Sequence, residues 1–146
     1  MNANRFTLDT NLLIYAIDRD AGTRHQQAIT LVDQAVEQDC VLSMQVLAEF
    51  FHAVTRKGKM PLAEASEQVR DWQILFPMVA ADGQALLQAM SAVQHHHLPF
   101  WDALLWATAK AAGVHVLLSE DFQDGRELEG VRFRNPFAVE DPFAIW

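Results

Sequence analysis

The sequence has little of what would indicate a secreted, membrane-spanning or fibrous protein. It contains one cysteine, Cys40, in 146 residues, so no intrachain disulfide can form and a reducing cytoplasm is the expected environment. Its longest uninterrupted apolar run, from Leu12 to Ile17, is six residues, whereas a membrane-spanning helix needs about 20. There is no low-complexity tract and no room for a secretory leader before Asp9. These absences predict a globular protein with no membrane segment.

Basic residues are also scarce. The chain has 11 lysines and arginines against 19 aspartates and glutamates, a formal net charge of −8. Proteins that bind nucleic acid through its phosphates usually carry an excess of positive charge. The deficit leaves two interpretations: either nucleic acid is not the ligand, or some of the acids face a cation rather than a phosphate. The positions of the acids decide between them.

Short apolar runs alternate with stretches of helical periodicity along the whole chain. The apolar runs predict strands at residues 6–8, 41–43, 78–80, 114–118 and 131–134. Several of the helical stretches begin at capping signals, among them Asp9–Asn11, the capping box Thr23-x-x-Gln26, and Asp82. Strands that alternate with helices imply a parallel sheet covered on both faces. We therefore predict one α/β domain over residues 1–146, a three-layer α/β/α sandwich with a central parallel sheet of four to five strands.

Apolar spacing also assigns buried faces to the later helices. In the helix after Asp82 the face comprises Leu86, Ala89, Met90 and Val93. In the helix after Pro99 it comprises Trp101, Leu104, Leu105 and Thr108. The aromatic residues Phe50 and Phe51, with the tail at 136–146, exceed what one small core needs. They indicate either packing at the sheet edge or a surface for a partner.

Four carboxylates stand where predicted strands end or helices begin: Asp9, Glu49, Asp102 and Asp121. In open parallel sheets, ligands bind beyond the carboxyl ends of the strands. If the strands at 6–8 and 114–118 are neighbours, the acids converge, and like charges ~4 Å apart repel by about 4 kcal/mol at an effective dielectric of 20. Such a cluster binds protons or a cation, and oxygen-only ligands favour Mg²⁺ or Mn²⁺. Each acid taken singly is more typical of a helix cap.

Four segments of the chain resemble, in order, the motifs of the PIN domain family, above all its VapC-type toxin branch. They are Leu8–Asn11, Val46–Phe50, Phe100–Leu104 and Leu118–Gly125. The resemblance implies that Asp9, Glu49, Asp102 and Asp121 are the catalytic, metal-binding acids. It further implies that Asn11 and Ser119 support the site and that Asp124 is an additional acid. The implied enzyme is a Mg²⁺- or Mn²⁺-dependent ribonuclease, the endoribonuclease toxin of a toxin–antitoxin pair, which cleaves RNA with metal-activated water.

The same resemblance implies partners. A VapC-type toxin has an RNA substrate, forms a homodimer, and binds a cognate antitoxin whose basic segment blocks the acidic cleft. Arg126, two residues beyond Asp124, is the basic residue that we expect to contact RNA. The run His95–His97 is more typical of a solvated helix end, because adjacent helical residues point about 100° apart. The alternative function is a non-catalytic PIN-like module that binds RNA or protein, and the presence of all four acids favours the enzyme.

Overall fold

The computed structural model describes residues 4–139, 141 and 143, and within them six strands and six α-helices are found, with a pair of α-helices between each of the first four strands. The first half comprises β1 (Phe6–Leu8), α1 (Thr10–Ile17), α2 (Thr23–Val36), β2 (Leu42–Ser43), α3 (Met44–Arg56) and α4 (Leu62–Leu75). The second half comprises β3 (Met78–Val79), α5 (Gly83–His96), α6 (Phe100–Ala111), β4 (Val116–Leu118), β5 (Glu127–Leu128) and β6 (Val131–Arg134). All five predicted strands are present, each within a residue or two of its predicted bounds.

The central sheet has the strand order β1-β4-β6-β5. β1 is parallel to β4, with Leu8 opposite Leu118, and β4 is parallel to β6. Every residue of β1 and β4 is buried, because helices cover both faces of the sheet. The predicted three-layer α/β/α architecture with a mostly parallel four-stranded sheet is therefore confirmed, and so is the neighbourhood of the strands that precede Asp9 and Asp121.

Two details of the sheet differ from the prediction. β2 and β3 pair with each other and form a separate two-stranded sheet. A single bridge links Phe6 of the central sheet to Cys40, two residues before β2. The antiparallel strand β5 was not predicted, because its two residues are too few to show a period. β5 and β6 are joined by Glu129 and Gly130, which both have positive φ, as a two-residue hairpin turn requires.

Side-chain caps begin three of the helices. Asp9 accepts a hydrogen bond from Thr10 N, Ser43 from Gln45 N, and Asp82 from Ala85 N. The predicted cap at Asp82 is therefore confirmed, whereas the predicted capping box at Thr23 is wrong. Thr23 is the first residue of α2, and the N-cap is Gly22, which makes no side-chain cap. The chain reverses at Gly22 with φ 66° after a short 3₁₀ turn, and glycine adopts this conformation without strain.

The hydrophobic core joins the sheet to the loops beyond its edge. Trp106 of α6 is buried and donates from Nε1 to the carbonyl of Leu128 at 3.1 Å. Phe122, in the loop after β4, stacks on Phe133 of β6 with ring centroids 4.3 Å apart. This aromatic contact fastens the loop that carries Asp121 to the sheet.

The predicted buried faces of α5 and α6 are partly wrong. α5 buries Ala85, Ala89 and Ala92 against α6, because alanines let two helices approach closely. Its larger apolar residues lie on the opposite side, with exposures of 42% for Leu86, 60% for Leu87, 54% for Met90 and 37% for Val93. On α6, Leu105 and Thr108 are buried as predicted, whereas Trp101 is exposed on the first turn. Within the described residues, no helix is long and apolar enough to cross a membrane.

Candidate active site

The four predicted acids lie at one end of the sheet, each brought there by a different segment. Asp9 directly follows β1, and Asp121 follows β4, the parallel neighbour of β1. Glu49 lies in the second turn of α3, and Asp102 lies in the first turn of α6. Their charges interact: Asp121 and Asp102 both raise the pKa of Asp9, and Asp121 and Glu49 both raise the pKa of Asp102. The structure thus brings all four into one electrostatic cluster.

Asp9 is the most buried of these acids, with 6% of its surface exposed. Ser119 Oγ donates to its Oδ2 at 2.6 Å, and Thr10 N donates to its Oδ1 at 2.7 Å. Burial raises the pKa of Asp9 from the ordinary 3.8 to about 6, and the charges of Asp121 and Asp102 add to this, while the two hydrogen bonds oppose it. The fold therefore holds a carboxylate in a fixed position where its ionised form needs a compensating positive charge.

Asp102, in the first turn of α6, also has a raised pKa. Burial is the largest cause of its raised pKa, followed by the charges of Asp121 and Glu49. Pro99, directly before α6, has the extended backbone of an N-cap and lacks a side-chain cap, so Asp102 lies near unpaired amides of the first turn. A carboxylate at a helix start is stabilised by the helix dipole. Its raised pKa indicates that burial and like charge outweigh this contribution.

The start of α1 holds the other acids in place. Thr10 Oγ1 donates to Glu49 Oε1 at 2.7 Å, and Asn11 Nδ2 donates to Asp121 Oδ2 at 2.9 Å. Asp121 N in turn donates to Ser119 Oγ at 2.9 Å. The predicted supporting residues Asn11 and Ser119 thus contact Asp121 and Asp9, and their supporting role stays a prediction. The contact from Thr10 was missed, although its position beside Asp9 was a usable signal.

Asp124 and Arg126 have other partners. Asp124 Oδ1 accepts a hydrogen bond from Asn135 N at 2.9 Å, which ties the loop after β4 to the segment after β6. Arg126 Nη2 donates to the carbonyl of His96 at 3.4 Å, at the end of α5. Their predicted roles, as an additional acid and as an RNA contact, stay predictions.

The donor set fits a hard divalent cation by its chemistry. It offers only carboxylate, hydroxyl and amide oxygens, which are the ligands that Mg²⁺ and Mn²⁺ prefer. Among the residues that the structure describes, no three Asp, Glu, His or Cys side chains stand in a group that could hold a metal ion as they are. A bound cation would have to draw the carboxylates together, and its charge would lower the pKa values of Asp9 and Asp102, which burial and then like charge raise. The fold thus places the four acids at one edge of the sheet, and a bound ion would bring their carboxylates closer together.

Comparison with known proteins points to the same family as the motifs. A family model described as PIN domain matches residues 6–123. No curated protein matches the sequence. The matched range begins at β1 and ends within the loop after β4, so it includes all four acids.

Solved structures with the same fold include several toxins and toxin–antitoxin complexes. VapC20 from Mycobacterium tuberculosis, a Sarcin-Ricin loop cleaving toxin, is 18% identical over 80% of this chain and 91% of its own, with a TM-score of 0.64. FitAcB from Neisseria gonorrhoeae is 18% identical over 92% of this chain and 99% of the matched chain, with a TM-score of 0.64. DNA-bound VapBC from Salmonella typhimurium is 15% identical over 89% and 96%, also at 0.64. At these identities the likeness concerns the fold.

Proposed function

The chain belongs to the PIN domain family, and we propose that it is a metal-dependent endoribonuclease, the toxin of a toxin–antitoxin pair. The observation that carries the proposal is the cluster of Asp9, Glu49, Asp102 and Asp121 at the carboxyl edge of the sheet. The cofactor is Mg²⁺ or Mn²⁺, which these four acids would hold. The reaction is hydrolysis of an RNA phosphodiester, and the buried, single cysteine agrees with action in a reducing cytoplasm.

The chain's own residues would prepare this reaction by fixing the carboxylates before the substrate arrives. When bound, the cation supplies an activated water and offsets negative charge on the phosphate. Ser119 and the backbone of Thr10 orient the two oxygens of Asp9. The Thr10 hydroxyl orients Glu49, and Asn11 orients Asp121. Glu49 and Asp121 each accept through one carboxylate oxygen in these hydrogen bonds, whereas both oxygens of Asp9 accept one and would bind the cation through a second lone pair.

A cation between protein and RNA also accounts for the acidic charge of the chain. A carboxylate cluster repels a phosphate directly, but a divalent ion held by the cluster attracts it. The net charge of −8 therefore does not argue against an RNA substrate. Association with RNA should accordingly depend on the divalent ion as well as on the ionic strength.

An antitoxin is the second partner of the proposed function. Solved structures with this fold include a toxin–antitoxin complex from Klebsiella pneumoniae. An apolar groove of about 420 Å³ lies between α3 and α4, lined by Met44, Leu47, Ala48, Phe51 and Val69. Since Glu49 is on the same helix, a segment lying in this groove could direct an arginine towards the acids, and a guanidinium binds carboxylates in a bidentate manner. We propose that the antitoxin inhibits the enzyme in this way.

The aromatic residues that suggested a partner surface divide between core and groove. Phe50 is buried and packs edge-on against Trp72, with ring centroids 4.8 Å apart, so it is not available to a partner. Phe51 is half-buried and lines the groove. In the tail, Phe143 is half-buried, with its ring 5.3 Å from that of Phe6, and residues 144–146 lie outside the described part of the chain.

A second copy of the chain is the third proposed partner. The outer face of α5 exposes Leu86, Leu87, Met90 and Val93 in one stripe at helical spacing. Exposed apolar patches of this kind on small domains are typical of interfaces between proteins. We therefore propose that the homodimer implied by the sequence forms through this α5 stripe.

A second function keeps one observation in its favour. A non-catalytic PIN-like module that binds RNA or protein would not need carboxylates grouped to hold a metal, and no such group of three stands ready among the described residues. The experiment that separates the two is a titration of the purified chain with Mn²⁺ in the presence of labelled single-stranded RNA. The nuclease should cleave only with Mn²⁺ and stop when EDTA is added, whereas an RNA-binding module should shift the RNA without cutting it in either condition. The wild-type chain and Asp9→Asn, prepared in parallel, exclude a contaminating nuclease.

A further inference from the structure

Glu120 is a further acid at the edge of the site, and its partners differ from those of the four predicted acids. It lies between Ser119 and Asp121, and its side chain is only 20% exposed. Arg24 Nε of α2 donates to Glu120 Oε2 at 3.1 Å. From α1, the Tyr15 hydroxyl also lies near Glu120, whose interaction with it is the largest cause of the raised pKa of Tyr15, followed by burial. The carboxylate of Glu120 is thus paired with α2 and lies beside α1.

Arg24 is itself fixed in this position. Its guanidinium carbon lies 4.3 Å from the centre of the Phe137 ring, a cation–π contact with the segment after β6. Its Nη1 donates to Gln27 Oε1 at 3.1 Å, one turn further along α2. The Tyr15 ring lies 6.0 Å from that of Phe137. Four separate segments of the chain therefore meet around Glu120, the residue directly before Asp121.

The spacing on α1 links this cluster to the candidate active site. Asn11 and Tyr15 are four residues apart and so lie on the same face of the helix, one turn from each other. Asn11 donates a hydrogen bond to Asp121, and Tyr15 lies near Glu120. One face of α1 thus lies against two consecutive acids. Without Arg24, the charge of Glu120 would add to that of the acidic cluster.

We propose that Arg24 and Tyr15 are positioning residues, which hold Glu120 and thereby fix Asp121 for the divalent cation. The inference rests on the proposed function for the role of Asp121. Arg24 neutralises Glu120 and keeps it from turning towards the cation in place of Asp121. Neither residue touches the cation or the RNA in this account, and both act through the loop after β4.

The test measures Mn²⁺ binding by calorimetry and, separately, kcat and KM on a single-stranded RNA that the wild-type enzyme cleaves. Arg24→Met and Glu120→Gln should each weaken Mn²⁺ binding about tenfold, the size of effect expected when a group that orients a metal ligand is removed. Each should lower kcat while KM for RNA changes less than about twofold. The double variant should bind Mn²⁺ no more weakly than the more impaired of the two single variants, because both changes remove the same contact. Tyr15→Phe, which removes only the hydroxyl, should show the same changes to a smaller extent.

The control is Arg132→Met, which breaks an ion pair of similar length, 3.3 Å to Glu127, on the β5–β6 hairpin. It should leave Mn²⁺ binding and kcat at wild-type values. If Arg24→Met and Glu120→Gln bind Mn²⁺ as the wild type does, the positioning role is wrong, while the proposed function stands. Additive losses in the double variant would also overturn it. A wild-type chain that binds no Mn²⁺ would instead refute the proposed function.

Discussion

The carboxyl edge of the sheet and the outer face of α5 each keep an arrangement that is unfavourable for the isolated chain. At the edge, Asp9 is 6% exposed and lies among like charges, so the unfavourable contribution is electrostatic. On α5, Leu87 and Met90 are 60% and 54% exposed, so the unfavourable contribution is apolar surface in contact with water.

The two regions differ in how firmly they are held. At the edge, Asp9, Glu49 and Asp121 each accept a hydrogen bond from a neighbouring side chain, so each carboxylate is oriented before any ligand binds, although a cation would still have to draw them together. The α5 stripe has no comparable network, because its side chains are apolar and form no directional hydrogen bonds. A small ion needs ligands at set positions, whereas a protein surface can adjust to its partner. The comparison supports the proposal of a cation at the edge and of a protein partner at α5.

The largest effect on activity is expected when one negative charge is removed from the carboxyl edge of the sheet. Asp9→Asn and Asp102→Asn should each lower RNA cleavage by more than about 100-fold, since each removes a proposed metal ligand. Both variants should stay folded without metal and be as stable as the wild type or more so, because they relieve repulsion. Asp33→Asn, on the exposed side of α2, is the matched control and should cleave normally. An Asp9→Asn variant that unfolds would show that this acid is structural.

The pH dependence of stability tests the electrostatic cost of Asp9. In the folded chain its pKa is about 6, against 3.8 for an ordinary aspartate, so the folded state binds the proton more tightly. The contribution of Asp9 to the free energy of unfolding should therefore fall as pH rises from about 4 to 6, by up to about 3 kcal/mol. Urea denaturation with EDTA present should show this fall in the wild type and not in Asp9→Asn. Parallel pH curves for the two proteins would contradict the prediction.

Divalent metal should compensate for that cost. Because the ion binds the folded site and hardly the unfolded chain, Mn²⁺ at about 100 times its dissociation constant should add ~2.7 kcal/mol to the free energy of unfolding. The gain should shrink as pH falls below about 6, where protons compete for Asp9. Melting curves with and without Mn²⁺ measure it, with Asp102→Asn as the variant that should lose most of the gain. An unchanged wild-type melting temperature would count against a metal at the edge.

The smallest effect on the free energy of unfolding is expected on α5. Leu87→Glu and Met90→Glu should convert a homodimer to monomers, because a charge in the α5 stripe is left without a partner in the interface. The stability of the monomer should change by no more than about 0.5 kcal/mol, since both positions are exposed. Light scattering after size exclusion gives the oligomeric state, and Gln84→Glu, exposed outside the stripe, serves as the control. A chain that stays dimeric in both variants would place the interface elsewhere.

Periodicity predicted which elements form more reliably than which faces they bury. The stripe Leu86, Met90 and Val93 has helical spacing, and the helix is present. Its buried side is instead the alanine face, because close packing on α6 selects small residues. Trp101 is a second example. It has the spacing of a core residue, yet it is exposed because it lies on the first turn of α6, at the edge of the core.

The sequence by itself determined the order of strands and helices, and it singled out the four acids and two of their hydrogen-bond partners, whose roles in a metal site stay predictions. These follow from local patterns, because caps and apolar periods act within a few residues. Only the tertiary structure decided which groups share a hydrogen bond. Thr10 and Glu49 are 39 residues apart, Arg24 and Glu120 are 96 apart, and Asn11 and Asp121 are 110 apart. Such contacts depend on how the helices pack on the sheet, and no short window of sequence contains both partners.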